Sequence, residues 1–389
     1  MAKELKTFYR TVGENEGRKC HYPTRLDTYG CGCSHDCKYC YAKSQLSIRK
    51  KWNPQNPSHA DLDKIRLQVS KIVPGLIVRL GGMTDCFQPV ERIYGLTYET
   101  IRILNEYRVG YLIVTKSDLV AEDKYINILD KDLAHIQISI TTTDDELSMS
   151  YEKAVPPSKR IKAIEKLCDE GFDISVRLSP LIPQYVDFEK INAIRCDKIL
   201  VEFLRNDPFI RDFFPIDWTD WSISEGGYGH LPLEIKKHYL SKITTFNEIS
   251  VCEDCSEHYN YWKDNYNPNP SDCCNLSITE DIRQINESTR LELINARSQD
   301  KRKILNKKKN IKITIDNQLI IMGANASQTY EKFIEFIGPQ KIRNLNIMLK
   351  GSNVICDSLS EFKEIYREEA KKHILSNGMY LFTHMSTDA

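Results

Sequence analysis

The chain has 389 residues, more than one ordinary hydrophobic core accommodates, and we expect two or three domains. Its 54 basic and 54 acidic residues balance, so no overall positive field attracts nucleic acid and any such contact requires a local patch. The N-terminal residues contain no apolar signal stretch and no run approaches a membrane span, so we expect a cytoplasmic protein without membrane contact.

Between residues 25 and 205, short apolar runs that predict strands alternate with segments of helical periodicity. The predicted strands are residues 25–29, 76–80, 111–115, 135–140, 173–178 and 198–204. The predicted helices between them are residues 93–104, 119–129 and 161–167. This alternation predicts six βα units around a parallel sheet, in which functional groups gather at the carboxyl ends of the strands.

The pattern changes after Asn206, where an aromatic and proline-rich stretch predicts an insert or cap over residues 206–285. Residues 286–389 predict a small α/β domain. It begins with a hairpin in which Asp316 and Asn317 form the turn. We therefore expect four segments: an N-terminal extension (1–24), a core (25–205), the cap (206–285) and the C-terminal domain (286–389).

Thirteen cysteines, an odd number concentrated at two places, favour a reducing compartment and metal ligation over a disulfide framework. At the first place, Cys33, Cys37 and Cys40 follow the spacing C-x3-C-x2-C. Three thiolates can hold three irons of a [4Fe-4S] cluster and leave the fourth iron open to a non-protein ligand. The alternative is a structural zinc site that includes Cys31, although zinc ligands usually come as two separated pairs. The cluster interpretation gives no role to Cys31 or Cys20.

The motif around these cysteines, with Tyr39 just before the last one, strongly resembles that of radical S-adenosylmethionine (SAM) enzymes. The resemblance implies a partial (βα)6 TIM-type barrel with a [4Fe-4S] cluster, and it places Tyr39 in the cofactor-binding segment. It implies that SAM chelates the open iron through its methionyl amine and carboxylate. An electron from a partner such as flavodoxin or ferredoxin would then cleave SAM to a 5′-deoxyadenosyl radical, which the protein directs and shields.

Four more segments resemble the spore photoproduct lyase-like branch, which includes the radical-type DNA repair photolyases. They are residues 84–92, 114–117, 138–142 and 178–183, and the resemblance covers about residues 25–205. It implies hydrogen abstraction from a pyrimidine base in DNA or a nucleotide, for lesion repair or for base modification or rearrangement. The alternatives are a radical enzyme that acts on a peptide or small metabolite and, from another class, a binding protein with a structural cluster.

The resemblance also implies cofactor contacts at the strand ends. Gly81 and Gly82 would lie beside the methionyl end of SAM, because glycines let the backbone approach a ligand closely. Lys116 and Ser139 would contact the carboxylate and the ribose of SAM. A polar residue at the rim of the core is the structural alternative for both of these side chains.

The resemblance also implies cofactor contacts by two charged residues on the last two predicted strands. Arg177 would pair with a carboxylate in bidentate fashion, and Glu202 would accept a hydrogen bond from a hydroxyl group. Here too a polar residue at the surface or at the rim of the core is the alternative.

Cys86 marks a departure from the spore photoproduct lyase pattern. In that enzyme a hydrogen-donating cysteine comes just before the Ser-Asp that corresponds to Thr84 and Asp85, and this chain has glycine and methionine there. Cys86 follows the aspartate instead, and we predict it as a catalytic hydrogen donor. The alternative is an inert buried thiol.

A second group of cysteines lies in the predicted cap. Cys252, Cys255, Cys273 and Cys274, with His258 nearby, are soft ligands that predict a second metal, either zinc or an auxiliary iron-sulfur cluster. Reduced cysteines packed in a small core are the alternative.

One basic run, residues 301–312, can neutralise phosphates, and it is the candidate local patch for DNA binding. Five aromatic residues of the cap are candidates for stacking on bases. They are Phe213, Phe214, Trp218, Trp221 and Tyr228. A solvated surface is the alternative for the basic run.

Overall fold

The computed structural model describes residues 8–10, 20–48, 51–206, 210–211, 214–225, 228–269, 272–307, 311–315, 318–322 and 348–349. Phe213, most of the predicted C-terminal domain after residue 322 and the side chains of the basic run at 301–312 lie outside the described part. The chain divides into two compact units, residues 1–42 with 53–296, and residues 43–52 with 297–389.

One sheet of eight strands forms the centre of the first unit, and its strands are adjacent in chain order. They are β1 (Phe8–Arg10), β2 (Thr24–Leu26), β3 (Ile77–Leu80), β4 (Gly110–Thr115), β5 (Ala134–Ile140), β6 (Asp173–Leu181), β7 (Lys198–Phe203) and β8 (Glu248–Val251). Strands β2 to β8 are parallel, and β1 pairs with β2 in the antiparallel sense. The sheet is not closed, as in a partial barrel.

The predicted parallel α/β architecture is confirmed, and all six predicted strands are present. The sheet has one more parallel strand, because β8 pairs with β7 from Glu248↔Lys198 to Val251↔Val201. It has only four residues and comes after the aromatic and proline-rich stretch, so neither its length nor its context distinguishes it in the sequence. The sheet therefore extends beyond residue 205, into the segment that the sequence predicted as a cap.

Helices connect and cover the strands. They are α1 (Tyr41–Ile48), α2 (Leu62–Val69), α3 (Glu91–Tyr94), α4 (Leu96–Glu106), α5 (Asp123–Ile126), α6 (Asp145–Tyr151), α7 (Pro157–Asp169), α8 (Phe188–Asn192), α9 (Leu233–Leu240), α10 (Ser256–Asn265) and α11 (Glu280–Lys307). The amphipathic helices α4 and α7 bury Ile101, Leu104, Ile164 and Leu167 in the main core. In the described part of the chain, none of the helices has both the length and the apolar character needed to cross a membrane.

Short strands complete the structure. In the first unit Tyr29–Gly30 pairs with Ser58–His59, and Ile223–Glu225 pairs with Tyr228–His230. In the second unit Ile311–Ile315 and Gln318–Met322 form the predicted antiparallel hairpin, and Met348–Leu349 pairs with its first strand.

Candidate active site

The three cysteines of the motif lie in a tight loop after Gly30. The Asp36 N–H donates to the Cys33 carbonyl at 3.1 Å, and the Cys40 N–H donates to the Cys37 carbonyl at 3.2 Å. At Gly32, an added Cβ would lie 1.9 Å from the carbonyl oxygen of Asn53, so a side chain there would displace the neighbouring backbone. Local hydrogen bonds and this close backbone approach fix the loop that carries the thiols.

The donor set of this loop fits a cluster with three protein ligands. Burial raises the pKa of the Cys33 and Cys37 thiols, and the nearby Cys40 sulfur raises both further, so the three sulfurs are neighbours. The raised pKa values of Cys33 and Cys37 favour neutral thiols until a metal binds and stabilises the thiolates. Two buried polar atoms of the loop, Ser34 Oγ and His35 Nδ1, lack a hydrogen-bond partner. Three thiols next to such unsatisfied polar atoms are suited to a [4Fe-4S] cluster.

Asp85 connects this loop to the ends of β3 and β4. Its carboxylate accepts from His35 Nε2 at 3.1 Å, from Thr115 Oγ1 at 2.8 Å and from the Lys116 N–H at 2.7 Å. The Phe87 N–H adds a fourth bond at 2.8 Å. Burial alone would raise the pKa of Asp85, but the His35 bond and these donors lower it below its ordinary value. The charged carboxylate thus fixes the orientation of the cysteine loop on the sheet.

The Gly81-Gly82 turn lies at the carboxyl end of β3. Gly81 has φ of +82°, and a Cβ there would lie 2.7 Å from the Val114 carbonyl oxygen. Asp27 Oδ1 accepts from the Gly82 N–H at 2.8 Å, and the Tyr41 hydroxyl donates to the Gly82 carbonyl at 3.1 Å. The structure therefore brings the predicted glycine pair next to the helix that follows the cysteine motif. Asp27 was not predicted, since an aspartate after a strand has no distinctive sequence signal.

Tyr39 and Lys116 meet at a buried carboxylate. The Tyr39 hydroxyl donates to Glu152, and Arg160 forms an ion pair with the same residue. Lys116 Nζ lies 4.0 Å from Glu152 Oε2 and donates to the Ser179 carbonyl at 3.0 Å. Burial opposes ionisation, but Arg160 and Lys116 outweigh it and lower the pKa of Glu152 to about 2. Glu152 follows a helix rather than a strand, so strand-end reasoning missed it.

The remaining predicted cofactor contacts form a hydrogen-bonded group across β5, β6 and β7. Ser139 is paired with Arg177 in the sheet register. Arg177 donates to Gln137 Oε1 at 2.6 Å and to Glu202 Oε2 at 2.5 Å, and Ser179 Oγ donates to Glu202 at 2.9 Å. Burial alone would raise the pKa of Glu202, but Arg177 lowers it to about 2. Arg177 and Glu202, both predicted to contact SAM, thus pair with each other. Their contact with SAM stays a prediction.

The segment that carries this site matches a known superfamily. Residues 28–194 match the family model of the radical SAM superfamily, and they include the cysteine loop, the glycine turn, Lys116 and Glu152. The chain contains a radical SAM domain. For this segment the match implies a [4Fe-4S] cluster and SAM, and enzymes of the superfamily generally need a reductant.

Two relatives share this domain. An uncharacterized protein of Methanocaldococcus jannaschii is 31% identical over 166 residues, which cover 41% of this chain and 61% of that protein. An uncharacterized protein of Acidianus two-tailed virus is 24% identical over 167 residues, which cover 40% of this chain and 55% of that protein. The matched segment therefore spans less than two thirds of either relative.

Solved structures with a similar arrangement include spore photoproduct lyase complexed with dinucleoside spore photoproduct. The TM-score is 0.45 at 14% identity, over 62% of this chain and 79% of that one. SuiB of Streptococcus suis bound to S-adenosylmethionine gives a TM-score of 0.40 at 15% identity, over 61% of this chain and 52% of that one.

Cys86, the predicted hydrogen donor of the radical SAM domain, lies in the main hydrophobic core. Its side chain is 1% exposed, and its thiol contacts the Leu26 carbonyl oxygen at 3.7 Å. Burial raises the pKa of this thiol. The position favours the packing alternative, and hydrogen donation by Cys86 stays a prediction.

The second cysteine group differs in membership from the predicted one. Cys252, Cys273 and Cys274 lie together, and Cys20 joins them. The Cys255 thiol instead lies beside Glu225, and burial with that neighbour raises its pKa to about 11. The sequence left Cys20 without a role because it lies far from the other three in the chain.

The aromatic residues predicted to stack on bases are mostly unavailable for that purpose. Phe214 and Trp221 are 1% and 6% exposed, and the Trp221 indole N–H donates to the Leu204 carbonyl at 2.7 Å. Tyr228 faces the Arg205 guanidinium, whose carbon is 5.4 Å from the ring centroid. Trp218 is half-buried, its indole N–H donates to the Phe214 carbonyl at 3.2 Å, and its ring packs edge-on against Trp221. Three of the four described members therefore pack with the core.

Proposed function

We propose that this protein binds a [4Fe-4S] cluster through Cys33, Cys37 and Cys40 and uses SAM to abstract hydrogen from a pyrimidine base in DNA or a nucleotide. The observation that supports the radical chemistry is the convergence of these three thiols, of which Cys33 and Cys37 are buried and Cys40 is half-buried, at the strand ends of a parallel sheet. When bound, the cluster supplies the electron that cleaves SAM to an adenosyl radical.

The surrounding residues hold the cofactors and exclude water. Asp85 fixes the cysteine loop through His35, and the Gly81-Gly82 turn offers backbone without side chains to the methionyl end of SAM. Lys116, with 15% of its side chain exposed, offers a cation to the SAM carboxylate. The buried ring of Tyr39, 7% exposed, closes one side of the site. A water-excluded site of this kind prevents loss of a reactive radical to solvent.

Support for a nucleobase substrate comes from the sequence segments that resemble the spore photoproduct lyase-like branch. Three of them, 84–92, 114–117 and 138–142, surround the carboxylate of Asp85 and the strand ends that carry Lys116 and Ser139. Their functional side chains are thus gathered in the same region, as a shared reaction site requires.

A peptide or small metabolite is the second candidate substrate, and the charge balance of the site favours it over long DNA. Three arginines near the strand ends have carboxylate partners: Arg160 pairs with Glu152, Arg177 with Glu202, and Arg205 with Asp254. Paired guanidinium groups contribute little attraction for a phosphate backbone. Among the nucleic-acid substrates, a single nucleotide fits best. It carries the base that the sequence resemblance supports, and it lacks the long phosphate backbone that the paired arginines disfavour.

The electron donor is expected to be a small redox protein such as flavodoxin or ferredoxin. Both deliver single electrons at low potential, which reductive cleavage of SAM requires.

Anaerobic reconstitution followed by product analysis tests the proposed function. The reduced protein is incubated with SAM and with deuterium-labelled thymidine, thymine-lesion oligonucleotides or peptides, and label is followed into 5′-deoxyadenosine. We expect cleavage that a pyrimidine substrate stimulates, with transfer of label. The variant C33A/C37A/C40A should lose cleavage, whereas C168A, at a half-buried cysteine of α7, should retain it. Stimulation by peptide alone would support the second candidate, and absence of cleavage by a fully reconstituted protein would refute both.

A further inference from the structure

The face of the parallel sheet that turns away from α4 and α7 is the inner side of the partial barrel. Side chains alternate between the two faces along each strand. Val78, Ile138, Val176 and Val201 pack in the main core with residues of α4 and α7. Their neighbours along the strands therefore lie on the inner face, and these include Arg79, Gln137, Arg177 and Glu202. The inner face thus carries charged and amide side chains where the outer face is apolar.

The inner face is concave, because strands that are not neighbours meet across it. Ile77 of β3 and Leu200 of β7 belong to one small apolar cluster, although three strands separate β3 from β7 in the sheet. Both side chains are at most 1% exposed, so this layer is closed to solvent. Arg79 and Glu202 come two residues later in the same strands. They therefore lie in the next layer, between the apolar cluster and the strand ends.

Gln137 of β5 is fully buried, and half of its amide has no hydrogen-bond partner. Its Oε1 accepts from Arg177 Nη1 at 2.6 Å. Because a guanidinium group only donates, this bond fixes the orientation of the amide and identifies the other atom as the Nε2 donor. Within the described residues Nε2 has no acceptor. A buried donor of this kind is costly unless a ligand supplies the acceptor.

Arg79 differs from the paired arginines of this region. One oxygen of Glu202 accepts from Arg177 Nη2 at 2.5 Å and from Ser179 Oγ at 2.9 Å, and the other lies 3.4 Å from Arg205 Nη2. Arg79 forms no ion pair with any described residue, and its buried Nε has no hydrogen-bond partner among them. The whole side chain is only half-buried, so a ligand can reach it.

An oxyanion satisfies both of these donors. The guanidinium group of Arg79 presents its N–H groups in a planar fork that matches phosphate or carboxylate oxygens, and Gln137 Nε2 adds a neutral donor. A phosphate monoester fits better than a carboxylate, since its three terminal oxygens can accept from donors on separate strands at once. Here the donors come from β3 and β5.

We propose that Arg79 and Gln137 bind the phosphate group of a pyrimidine nucleoside monophosphate on the inner face of the sheet. This inference rests on the proposed function and names the substrate class of the same site. The phosphate lies in the layer below the Gly81-Gly82 turn, and the base extends towards the strand ends. The paired arginines take no part in binding it, which accounts for a preference for one phosphate over a long backbone.

Equilibrium binding tests this proposal without radical chemistry. The reconstituted protein, without reductant, is titrated by calorimetry with thymidine 5′-monophosphate and with thymidine. We expect the monophosphate to bind at least about tenfold more tightly, with inorganic phosphate as a competitor. R79M should abolish the difference and R79K should restore part of it. The control R102M, at a side chain that is 60% exposed, should bind as the native protein does.

Three results would overturn the proposal. They are equal affinity of the native protein for the two ligands, the native difference in affinity in R79M, and competition by succinate but not by phosphate. The last result would assign the two donors to a carboxylate substrate.

Thermal unfolding separates ligand binding by Arg79 from a structural role. Removing an unpaired cation should leave the Tm of R79M without ligand at the native value or above it. Thymidine 5′-monophosphate should raise the Tm of the native protein and leave that of R79M unchanged. Q137E keeps the acceptor for Arg177 but replaces the Nε2 donor by an oxygen, and it should lose the shift. A lower Tm of R79M with an undiminished shift would show that Arg79 is structural.

Failure of this site and failure of the proposed function give different results. If thymidine and its monophosphate stimulate formation of 5′-deoxyadenosine equally in the native protein and in R79M, the radical function stands and the phosphate site is refuted. If the monophosphate binds in an Arg79-dependent manner but SAM is never cleaved, the phosphate site stands and the proposed function is refuted.

Discussion

His35 Nε2 lies 3.1 Å from the Asp85 carboxylate, and this contact connects the cysteine loop to the strand ends of the radical SAM domain, beside the bond from the Ser34 N–H to Gln88 Oε1 at 3.1 Å. The other three bonds to Asp85 come from Thr115, Lys116 and Phe87. These bonds fix the Asp85 carboxylate at the strand ends, and His35 attaches the loop to it. We infer that Asp85 positions the cluster ligands without binding the cluster itself.

Replacing Asp85 with Asn should lower the amount of cluster that the protein holds. The variant loses a buried charged hydrogen bond to His35, which contributes about 1.5–3 kcal/mol. We expect bound iron after reconstitution to fall about tenfold, while circular dichroism stays that of a folded α/β protein. The matched control is Asp132→Asn, at a carboxylate whose side chain is 85% exposed. Equal iron content in the two variants would contradict the positioning role of Asp85.

Lys116 should contribute to SAM affinity through its charge. Replacement by Met removes the cation beside Tyr39 and Glu152 and should weaken equilibrium binding of SAM about tenfold or more, with cluster content unchanged. Replacement by Arg should restore part of the affinity. Lys71→Met, at an exposed position, serves as the control. If K116M binds SAM as tightly as the native protein, Lys116 has only a structural role.

Glu152 should make the free energy of unfolding depend on pH in the acidic range. Its folded pKa is about 2, against an ordinary value of 4.5, because Arg160 and Lys116 stabilise its charge. The stabilisation is therefore complete above pH 4.5 and is lost as the pH falls through about 2. Urea unfolding between these limits should show a smaller pH dependence in E152Q than in the exposed control E257Q. The same dependence in both variants would contradict this assignment.

The same substitution should also destabilise the protein at neutral pH. E152Q leaves the buried Arg160 guanidinium without its charged partner, and such a loss costs about 3–5 kcal/mol. The double variant E152Q/R160M should recover much of the free energy of unfolding, because it removes the unpaired charge. No recovery in the double variant would show that the two residues are not coupled.

Cys86 should be dispensable for radical chemistry if its burial reflects packing. We expect C86A to keep the native yields of 5′-deoxyadenosine and of substrate product, and to lose about 1–3 kcal/mol of stability from the small cavity. The measurement is the product distribution in deuterated water, where a thiol donor would transfer deuterium. A changed distribution in C86A would establish it as the hydrogen donor after all.

Local patterns in the sequence predicted the sheet and the cluster loop, because each depends on residues close together in the chain. The apolar run of β5 and the spacing of Cys33, Cys37 and Cys40 are of this kind. Glu152 and Cys20 were missed for the opposite reason. Glu152 reaches Tyr39 across 113 positions, and Cys20 packs in one cluster with Cys252, Cys273 and Cys274 from a distant part of the chain. Such pairings come from tertiary packing, which no short segment encodes.

The central claim is that three cysteines leave one iron open for SAM. Electron-nuclear double resonance of the reduced protein, with SAM carrying ¹⁵N at the amine and ¹⁷O at the carboxylate, tests it most directly. We predict hyperfine coupling of both labels to the cluster, which Cys33→Ala should abolish. A fully reconstituted [4Fe-4S] cluster without coupling to either label would show that SAM does not bind the iron, and would contradict the account.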